Sequence, residues 1–399
     1  MNAPAAITGV GAVTPLGLGA DVMHRRWVAG ESGIEDGAAR CSSFDPSDVL
    51  SRKETRRMHR SVQLAIAACR EAVDMAWGDE LPYDPGRIAC VLGVAFGGTE
   101  LVCEQFLAHA QGGQDDVWTL TVPVGMGNAA PAVLAMRHGF RGSSSSVTSA
   151  CAASAQAVGD GMRMLRSGVA DAVIVGGAEA PVTDFLQAAF AQAGALSRSG
   201  ISRPFDDRRD GFVMGEAAGI LILETPEGAA RRGAEVLGHV AGFASTTDGV
   251  HLTAPDESGE RCAAAILGAL ADAGFTAEDV DYINAHGTST KSNDRAETTA
   301  LKRALGAHAA RVPVSAPKSV LGHSIGAAGA VEAIATLYAL RSRQAQPTVG
   351  LEHPEPGLDL AYVIGGARRI PEPSSDRPLV GISNSFAFGG HNATLAITA

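Results

Sequence analysis

The chain alternates short β-type runs with longer runs that have helical apolar spacing, and the alternation repeats in its two halves. Each half places a strand, a turn of small residues and a long helix rich in alanine and glycine at its centre. Alternating elements of this kind are typical of a layered α/β fold. The sequence therefore predicts an α/β fold made of two duplicated halves, 1–250 and 251–399, with the junction near 245–260.

The predicted elements are spread along the whole chain. Strands are expected at 5–14, 87–95, 147–150, 170–179, 217–228, 235–248, 280–287, 312–316, 378–386 and 393–399. Helices are expected at 61–77, 129–137, 152–168, 261–275, 296–306 and 326–342. The runs at 217–228 and 235–248 are expected to pair with each other as antiparallel strands.

Composition and charge exclude several classes of protein. Glycine accounts for 48 of 399 residues, about 12% against an average near 7%, which indicates many tight turns. The net charge of −11 argues against general nucleic-acid binding. No apolar run reaches the length of a membrane span, and the N-terminus lacks the pattern of a secretory signal. The six cysteines form neither a C-x-x-C pair nor a cluster with zinc spacing, so we predict no metal and a reducing cytoplasm.

Cys151 is the first candidate catalytic residue. It follows the hydroxyl-rich stretch Ser145–Ala150 and precedes a run that is typical of an amphipathic helix ending at Gly168. A cysteine at a helix N-terminus lies near free N–H groups and the positive end of the helix dipole, which favour the thiolate. We therefore expect Cys151 to have a lowered pKa and to act as a nucleophile.

Two histidines in glycine-containing loops provide the other half of an acyl-transfer site. His286 lies in NAHGTST and His323 in KSVLGHSIGAAGA. A nucleophilic cysteine needs nearby groups that accept or donate protons, and imidazoles supply them. Because His323 precedes a predicted helix start, we expect it to be neutral and to donate a hydrogen bond from Nε2.

Two further segments allow more than one interpretation. Lys318 and Glu332 lie on opposite sides of the His323 turn, where they could pair with each other or point separately into solvent. Phe386 and Phe388 flank Ala387 beside Gly389 and Gly390, a turn in which glycine permits close backbone approach. Such an aromatic could gate a pocket or fill the core between strands.

Taken together, these motifs resemble the β-ketoacyl-acyl-carrier-protein synthases, which are condensing enzymes with a thiolase-like layered α-β-α-β-α fold. The resemblance covers essentially the whole chain. It is closest to the synthase II type and to the ketosynthase subunits of type II polyketide systems. The motifs occur in family order, as TSACAAS, GGAEAP, RPFDDRRDGFVMGEAAG, NAHGTST, KS-x-x-GH-x-x-GAAGA and NSFAFGG.

The resemblance implies a role for each matching position. Cys151 matches the acylated residue, and His286 and His323 match the pair that promotes malonyl decarboxylation. Lys318 matches the lysine that organises the site, with Glu332 as its partner. Phe388 matches the gating aromatic, whose backbone N–H forms an oxyanion hole with that of Cys151. Thr288 and Thr290 match the positions that hold the phosphopantetheine arm. Phe96 lies in the segment that lines the acyl pocket in relatives, and Phe386 is also expected to bind substrate.

The family also implies partners and a substrate form. Acyl carrier protein presents the substrates on phosphopantetheine, and no free cofactor is expected. A homodimer, or a heterodimer with a chain-length-factor-like subunit, is expected, with no nucleic-acid partner and no membrane partner. Carrier proteins are acidic, so a local basic patch would have to overcome the negative net charge of this chain. The residues predicted to form that docking patch are Arg52, Lys53, Arg56, Arg57 and Arg60.

Several positions differ from the synthase II pattern. Ser324 and Ile325 replace two leucines, as in the polyketide subunits, and Ala387 replaces a glycine between the two phenylalanines. Phe96 is bulky in a segment that lines the acyl pocket in relatives, so we expect it to narrow or redirect the acyl tunnel. These differences leave the accepted acyl chain and the pathway, fatty-acid or polyketide, open.

Three alternative functions each meet an objection in the sequence. Gly322–Gly326 fits the G-x-S-x-G motif of an α/β-hydrolase or acyltransferase with Ser324 as nucleophile, but that motif requires a strand running straight into it. A thiolase would need a second cysteine near the C-terminus, and none follows Cys262. An inactive chain-length-setting partner would lack the nucleophile, whereas Cys151 and both histidines are present.

Overall fold

The computed structural model describes residues 3–373 and 376–399. The first half of the chain contains, in order, β1 (Ala5–Thr14), β2 (Gly17–Leu18), α1 (Ala20–Val28), β3 (Ala38–Ala39), α2 (Arg52–Thr55), α3 (Arg60–Ala76), β4 (Ile88–Gly93), α4 (Thr99–Gly112), α5 (Thr121–Gly125), α6 (Ala129–His138), β5 (Ser144–Val147), α7 (Ala153–Arg166), β6 (Ala172–Glu179), α8 (Asp184–Gln192), β7 (Met214–Gly215), β8 (Ala217–Glu224) and α9 (Pro226–Arg231).

The second half follows the same alternation. It contains β9 (Gly238–Thr247), α10 (Glu260–Ala273), β10 (Val280–Asn284), α11 (Lys291–Leu305), β11 (Val314–Ser315), α12 (Lys318–Leu321), α13 (Ala328–Ser342), β12 (Gln344–Ala345), β13 (Arg368–Arg369), β14 (Val380–Ala387) and β15 (His391–Thr398). Within the described ranges, no helix is both long and apolar enough to cross a membrane.

The strand order shows that the two halves are duplicates. The large sheet runs β11-β10-β14-β15-β9-β1-β8-β6-β4-β5. Each half contributes five strands to this order. When they are numbered along the chain within each half, both halves read third, second, fourth, fifth, first from the edge of the sheet to its centre. In both halves the first three of these are parallel and the other pairings are antiparallel. A short antiparallel contact between β1 and β9 joins the halves.

The helices divide this sheet into layers. α7 and α13 contact each other and strands of both halves, so they form the central layer. α3 packs on the outer face of β1 and β8, and α10 packs on the outer face of β9 and β15 with α11 beside it. The result is the layered α-β-α-β-α arrangement that the family resemblance implies.

Small side chains make the central layer possible. A Cβ at Gly159 of α7 would lie 2.2 Å from the Phe243 ring of β9. A Cβ at Gly161, on the same helix, would lie 2.2 Å from Val175 of β6. A helix with larger residues at these positions could not lie this close to both halves of the sheet. The Ala/Gly-rich composition of the helix after Cys151 therefore has a packing cause.

The structure corrects one pairing. The runs at 217–228 and 235–248 do form strands, but β8 and β9 do not pair, because β1 lies between them and pairs with both. The division at residue 250 stays a prediction. The matching strand orders favour a division before β9, since β9 is the first strand of the second unit.

Candidate active site

Cys151 lies at the start of the central helix, as the sequence predicted. It belongs to a tight 3-10 turn, Ala150–Ala152, that leads directly into α7. The preceding Ala150 has φ +49°, a left-handed conformation that is strained for a residue with a side chain. This turn holds the Cys151 sulfur at the N-terminal end of α7, inside the protein, with 9% of the residue exposed.

Both predicted histidines converge on this sulfur. His286 follows β10 of the second half, and His323 lies between α12 and the turn Ile325–Ala327. His323 Nε2 is 3.0 Å from Cys151 Sγ, and the two imidazole centroids are 5.5 Å apart. The fold thus brings together three residues that are far apart in sequence.

The hydrogen bonds assign the same tautomer to both imidazoles. The Ile325 N–H donates to His323 Nδ1 at 3.3 Å, and Lys318 Nζ lies 3.3 Å from His286 Nδ1. An ammonium group and a backbone N–H can only donate, so each Nδ1 is the acceptor. Each Nε2 therefore carries the proton, and the site presents two Nε2–H donors.

The electrostatics keep both imidazoles neutral. Burial lowers the pKa of His286 and of His323 well below 6.5, and the positive charge of Lys318 lowers both further. The expectation of a neutral His323 is confirmed, although burial is the main cause rather than the nearby helix start.

Lys318 and Glu332 form a buried ion pair, so the surface alternative is excluded. Their side chains are only 2% and 3% exposed, and Lys318 Nζ donates to Glu332 Oε1. Burial raises the pKa of Glu332 to about 7, although the charge of Lys318 and its hydrogen bond act in the opposite direction. Since Lys318 also contacts His286, this pair fixes the orientation of that imidazole.

The C-terminal turn supplies a second backbone donor. The N–H groups of Phe388 and of Cys151 itself are directed at the Cys151 sulfur. Gly389 has φ +82°, which allows the sharp reversal after β14. Phe386 is buried and its ring centroid lies 6.1 Å from that of His286, whereas Phe388 is 39% exposed. Both rings line the cavity above Cys151.

The expected lowering of the Cys151 pKa is wrong. Burial of the sulfur raises its pKa to about 12, and the Glu332 carboxyl raises it further. The Lys318 charge and the two backbone N–H groups act in the opposite direction but do not overcome burial. A helix start stabilises a thiolate by a small amount, whereas removing a charged sulfur from water costs more.

The raised pKa predicts how Cys151 is alkylated. We expect its rate of reaction with iodoacetamide to rise about tenfold for each pH unit between pH 7 and pH 10, because only the thiolate reacts. Peptide mapping after timed labelling measures this rate, and the Cys151→Ala variant gives the contribution of the other cysteines. A rate that levels off above pH 8 would contradict the raised pKa.

A cavity of about 250 Å³ connects the surface with Cys151. Thr288 and Thr290 line it, with their hydroxyl oxygens 2.9 Å apart. Phe96 also lines the cavity and makes edge contact with Phe190, which in turn contacts Phe212. Phe190 and Phe212 were missed, since Phe190 lies outside the quoted motifs and Phe212 lies within RPFDDRRDGFVMGEAAG, a motif to which the sequence analysis assigned no site role. They become pocket walls only because α8 and the strand region before β7 fold over Cys151.

Two buried carboxylates were also missed. Glu297 accepts hydrogen bonds from the N–H groups of His286 and Gly287, both at 2.8 Å. Glu179, at the end of β6, accepts them from the N–H groups of Ala95 and Gly97 at 2.7 and 2.9 Å. Burial raises the pKa of each carboxyl to about 7. Glu179 lies within the GGAEAP motif, but neither that motif nor the sequence around Glu297 assigns a role to the carboxylate, and most glutamates are exposed.

The predicted basic patch separates into two kinds of residue. Arg52, Lys53, Arg56 and Arg57 are exposed, and they form no ion pair within residues 3–373 and 376–399. Arg60 is different, because its guanidinium binds the buried Glu216 and donates to the Cys41 carbonyl. Arg60 therefore anchors the start of α3, although its side chain is still 37% exposed, and its assignment to the docking patch stays a prediction. None of the five lines the cavity above Cys151.

Two groups of atoms near the site could hold a ligand ion. Cys151, His286 and His323 each place one ligating atom within 4.8 Å of the others. The Lys318 ammonium next to His286 opposes a cation there. Nearby, buried oxygens without a partner in the described residues belong to Asn284, Glu332, Ser383 and Ser385. Oxygens of this type suit an ordered water or a hard cation.

Ser324 does not form the nucleophile elbow of a hydrolase. The elbow requires a strand that ends at the serine, whereas β11 is followed by α12 before Gly322 is reached. Ser324 is buried and does not line the cavity. The hydrolase alternative is therefore wrong for this site.

Comparisons with known proteins identify similar chains over almost the entire length. Residues 2–229 match the family model described as beta-ketoacyl synthase, N-terminal domain, and residues 237–352 match the C-terminal domain. A 3-oxoacyl-[acyl-carrier-protein] synthase 2 from Synechocystis sp. is 40% identical, over 98% of this chain and 96% of that protein. The protein of the same name from Rhizobium meliloti is 37% identical, over 98% of this chain and 97% of that protein.

Solved structures show the same similarity. A ketosynthase structure, solved as a type II polyketide acyl-carrier protein in complex with its ketosynthase bound to the hexaketide, has a TM-score of 0.91 and 28% identity, with 100% of both chains covered. The ishigamide ketosynthase/chain length factor has a TM-score of 0.89 and 32% identity, again with 100% of both chains covered.

Proposed function

The chain belongs to the β-ketoacyl synthase family and is an acyl-transferring condensing enzyme, and we propose that Cys151 carries the acyl chain during decarboxylative condensation with a malonyl thioester. The observation that supports this most strongly is the convergence of Cys151 Sγ with two backbone N–H groups and the imidazoles of His286 and His323. The substrates are thioesters of a carrier protein, which fits the relatives' activity as 3-oxoacyl-[acyl-carrier-protein] synthases.

In the first half-reaction the Cys151 sulfur attacks the carbonyl carbon of an acyl thioester. The N–H groups of Cys151 and Phe388 stabilise the tetrahedral oxyanion. The carbon–sulfur bond to the carrier then breaks, the acyl group remains on Cys151, and the thiol proton ends on the departing carrier thiol. Because the Cys151 pKa is raised, sulfur attack and proton loss must be closely coupled.

In the second half-reaction a malonyl thioester loses its carboxylate as carbon dioxide, and the electron pair stays on the α-carbon as an enolate. The two Nε2–H groups donate to the enolate oxygen as its charge develops. The α-carbon attacks the acyl carbonyl, and the Cys151 thiolate leaves and takes up a proton. The product is a β-ketoacyl thioester on the carrier protein, longer than the acyl chain by the two carbons that remain from malonate.

The direct test uses purified protein with acyl and malonyl thioesters of a carrier protein. Intact mass spectrometry is expected to show the acyl group on the wild-type chain but not on Cys151→Ala, and carbon dioxide and β-ketoacyl product should form only with the wild type. Acylation of the Cys151→Ala variant at the wild-type rate would disprove the assignment of the nucleophile.

We propose Phe96 as the wall that limits the acyl chain, supported by its position in the cavity against Phe190. Phe96→Ala is expected to extend the longest accepted primer, because removing the ring frees space at the end of the pocket. Competition among acyl thioesters of increasing length measures the change. The same length ranking in variant and wild type would contradict the role.

We propose Arg52, Lys53, Arg56 and Arg57 as part of the carrier-docking surface, supported by their exposure and their lack of ion pairs within the described ranges. The double variant Arg56→Glu/Arg57→Glu is expected to lower kcat/KM about tenfold or more with carrier-bound substrate and to leave small-thioester turnover nearly unchanged. The salt dependence of kcat/KM should also weaken. Equal losses with both substrates would show that these charges support the fold instead.

The dimer partner is a second ketosynthase-like chain. β5 is an edge strand of the large sheet, and the helices before it expose large apolar side chains. These are Val102, Phe106, Leu107, Val122, Met126 and Met136, with exposures between 44% and 76%. An unpaired strand beside such a patch is typical of a subunit interface. Both a homodimer and a heterodimer with a chain-length-factor-like subunit fit this surface.

We propose that the enzyme works in a cytoplasm, supported by six free cysteines and by the absence of any disulfide among the described residues. No free cofactor enters the proposed steps, since phosphopantetheine arrives on the carrier protein. We propose fatty-acid synthesis as the first candidate pathway, supported by relatives named 3-oxoacyl-[acyl-carrier-protein] synthase 2, and a polyketide heterodimer as the second, supported by the polyketide ketosynthase structures.

A further inference from the structure

Glu179 receives an unusual set of contacts that the proposed reaction does not use. It is the last residue of β6, and it is completely buried. Its carboxylate accepts hydrogen bonds from the N–H groups of Ala95, Phe96 and Gly97, and from that of Gly326. A carboxylate has about four lone-pair sites, so one group can accept all four bonds.

These contacts connect two separate parts of the site. Ala95, Phe96 and Gly97 form the loop that carries the proposed pocket wall. Gly326 belongs to the turn directly after His323, on the other half of the duplicated fold. A Cβ at position 326 would lie 2.5 Å from Glu179 Oε2, so the glycine is required for this close approach.

The turn that Glu179 holds is strained and also sets the tautomer of His323. Ile325 has φ +45°, which is costly for a β-branched residue. Its N–H donates to His323 Nδ1, and the next N–H, from Gly326, is bound by Glu179. Backbone hydrogen bonds from His323 N–H to Val213 O and from Ala327 N–H to Ser324 O also hold this turn, and the bond from Gly326 N–H to Glu179 ties it to the Phe96 loop.

We propose that Glu179 is a positioning residue that couples the acyl-pocket wall at Phe96 to the imidazole of His323. This inference rests on the proposed condensing function and adds a residue to it. Glu297 binds the N–H groups of His286 and Gly287 and the Asn384 side chain, whereas Glu179 joins the His323 turn to the loop that carries Phe96. Acyl-chain preference and enolate stabilisation therefore depend on the same buried carboxylate.

The test is Glu179→Gln, which keeps the size of the side chain. A glutamine offers one acceptor oxygen, and its amide N–H₂ would face backbone N–H groups, so some of the four bonds are lost. Glu224→Gln is the matched control. Glu224 is also fully buried and accepts bonds from Thr8, Trp77, Tyr83 and Arg232, but it lies at the far end of β8, away from the cavity.

Three measurements are made on each variant. Hydrogen exchange, read on peptides that cover 94–98 and 324–328, is expected to accelerate in both segments in Glu179→Gln and in neither segment in Glu224→Gln. The rate of malonyl decarboxylation is normalised to the amount of Cys151 that iodoacetamide can alkylate. In Glu179→Gln this rate is expected to fall about tenfold to a hundredfold, because a small displacement of the His323 imidazole reduces the rate strongly. The primer-length ranking should change in the same variant.

The outcomes separate this proposal from the proposed function. A wild type that forms no β-ketoacyl product would overturn the proposed function, whereas the hydrogen-exchange result does not depend on turnover. If the wild type condenses and Glu179→Gln exchanges faster in only one segment, the coupling is wrong. A variant with lower thermal stability but unchanged decarboxylation rate and primer ranking would show that Glu179 only supports the fold.

Discussion

His323→Ala is expected to retain acylation of Cys151 and to lose malonyl decarboxylation. The acylation step uses the N–H groups of Cys151 and Phe388, which the substitution leaves in place. Decarboxylation requires both Nε2–H donors at the enolate oxygen, and removal of one such donor costs about 10²- to 10³-fold in rate. Intact mass spectrometry measures acyl loading, and carbon dioxide release measures the second half-reaction.

The matched control for His323→Ala is His353→Ala, an exposed histidine outside the cavity. The control should leave both half-reactions at wild-type rates. If His323→Ala slows acylation and decarboxylation by the same factor, His323 acts on the sulfur instead of the enolate. His323 Nε2 lies 3.0 Å from Cys151 Sγ, so its geometry also allows a role in activating the sulfur. The comparison of the two rates decides between the two roles.

Lys318→Met is expected to destabilise the protein by about 3 kcal/mol or more, because breaking a buried ion pair leaves its partner uncompensated. The partner is Glu332, whose side chain is 3% exposed. The double variant Lys318→Met/Glu332→Leu should recover most of the stability, since a buried ion pair can be replaced by apolar residues of similar volume. Urea unfolding measures both changes.

The destabilisation should also depend on pH. Burial raises the pKa of Glu332 in the folded state, so the neutral carboxyl stabilises the fold at low pH and this stability is lost as pH rises through the folded pKa. Without Lys318 the pKa rises further, because the charge that opposed burial is gone. The stability difference between wild type and Lys318→Met should therefore be larger at pH 8 than at pH 6. A difference that does not change with pH would mean that Glu332 keeps its charge state.

The same variants separate stability from catalysis. His286 Nδ1 faces Lys318 Nζ at 3.3 Å, so Lys318→Met removes the donor that holds the proton on Nε2. The double variant is expected to regain stability but to remain slow in decarboxylation. Recovery of both properties together would show that Lys318 acts only through the buried pair.

The sequence by itself determined the α/β class, the duplication and the three side chains that meet at the candidate site. Strand and helix periodicity comes from local chain geometry, so runs such as 5–14 and 261–275 could be assigned correctly. Cys151, His286 and His323 could be found because each is a reactive side chain within a short run of small and hydroxyl residues. The sequence allowed an ion pair between Lys318 and Glu332 but could not show that the pair forms, because lysine and glutamate side chains are most often exposed.

Only the tertiary structure decided which neighbours each of these groups has. β1 lies between β8 and β9, a long-range choice that no local pattern encodes. Burial reversed the expected pKa of Cys151, because the desolvation of a sulfur depends on every element packed around it. The same packing turned Arg60 into an anchor for Glu216 and made Glu179 a link between Phe96 and the His323 turn. Chemical identity is a property of single residues, whereas burial and contact arise only when distant segments meet.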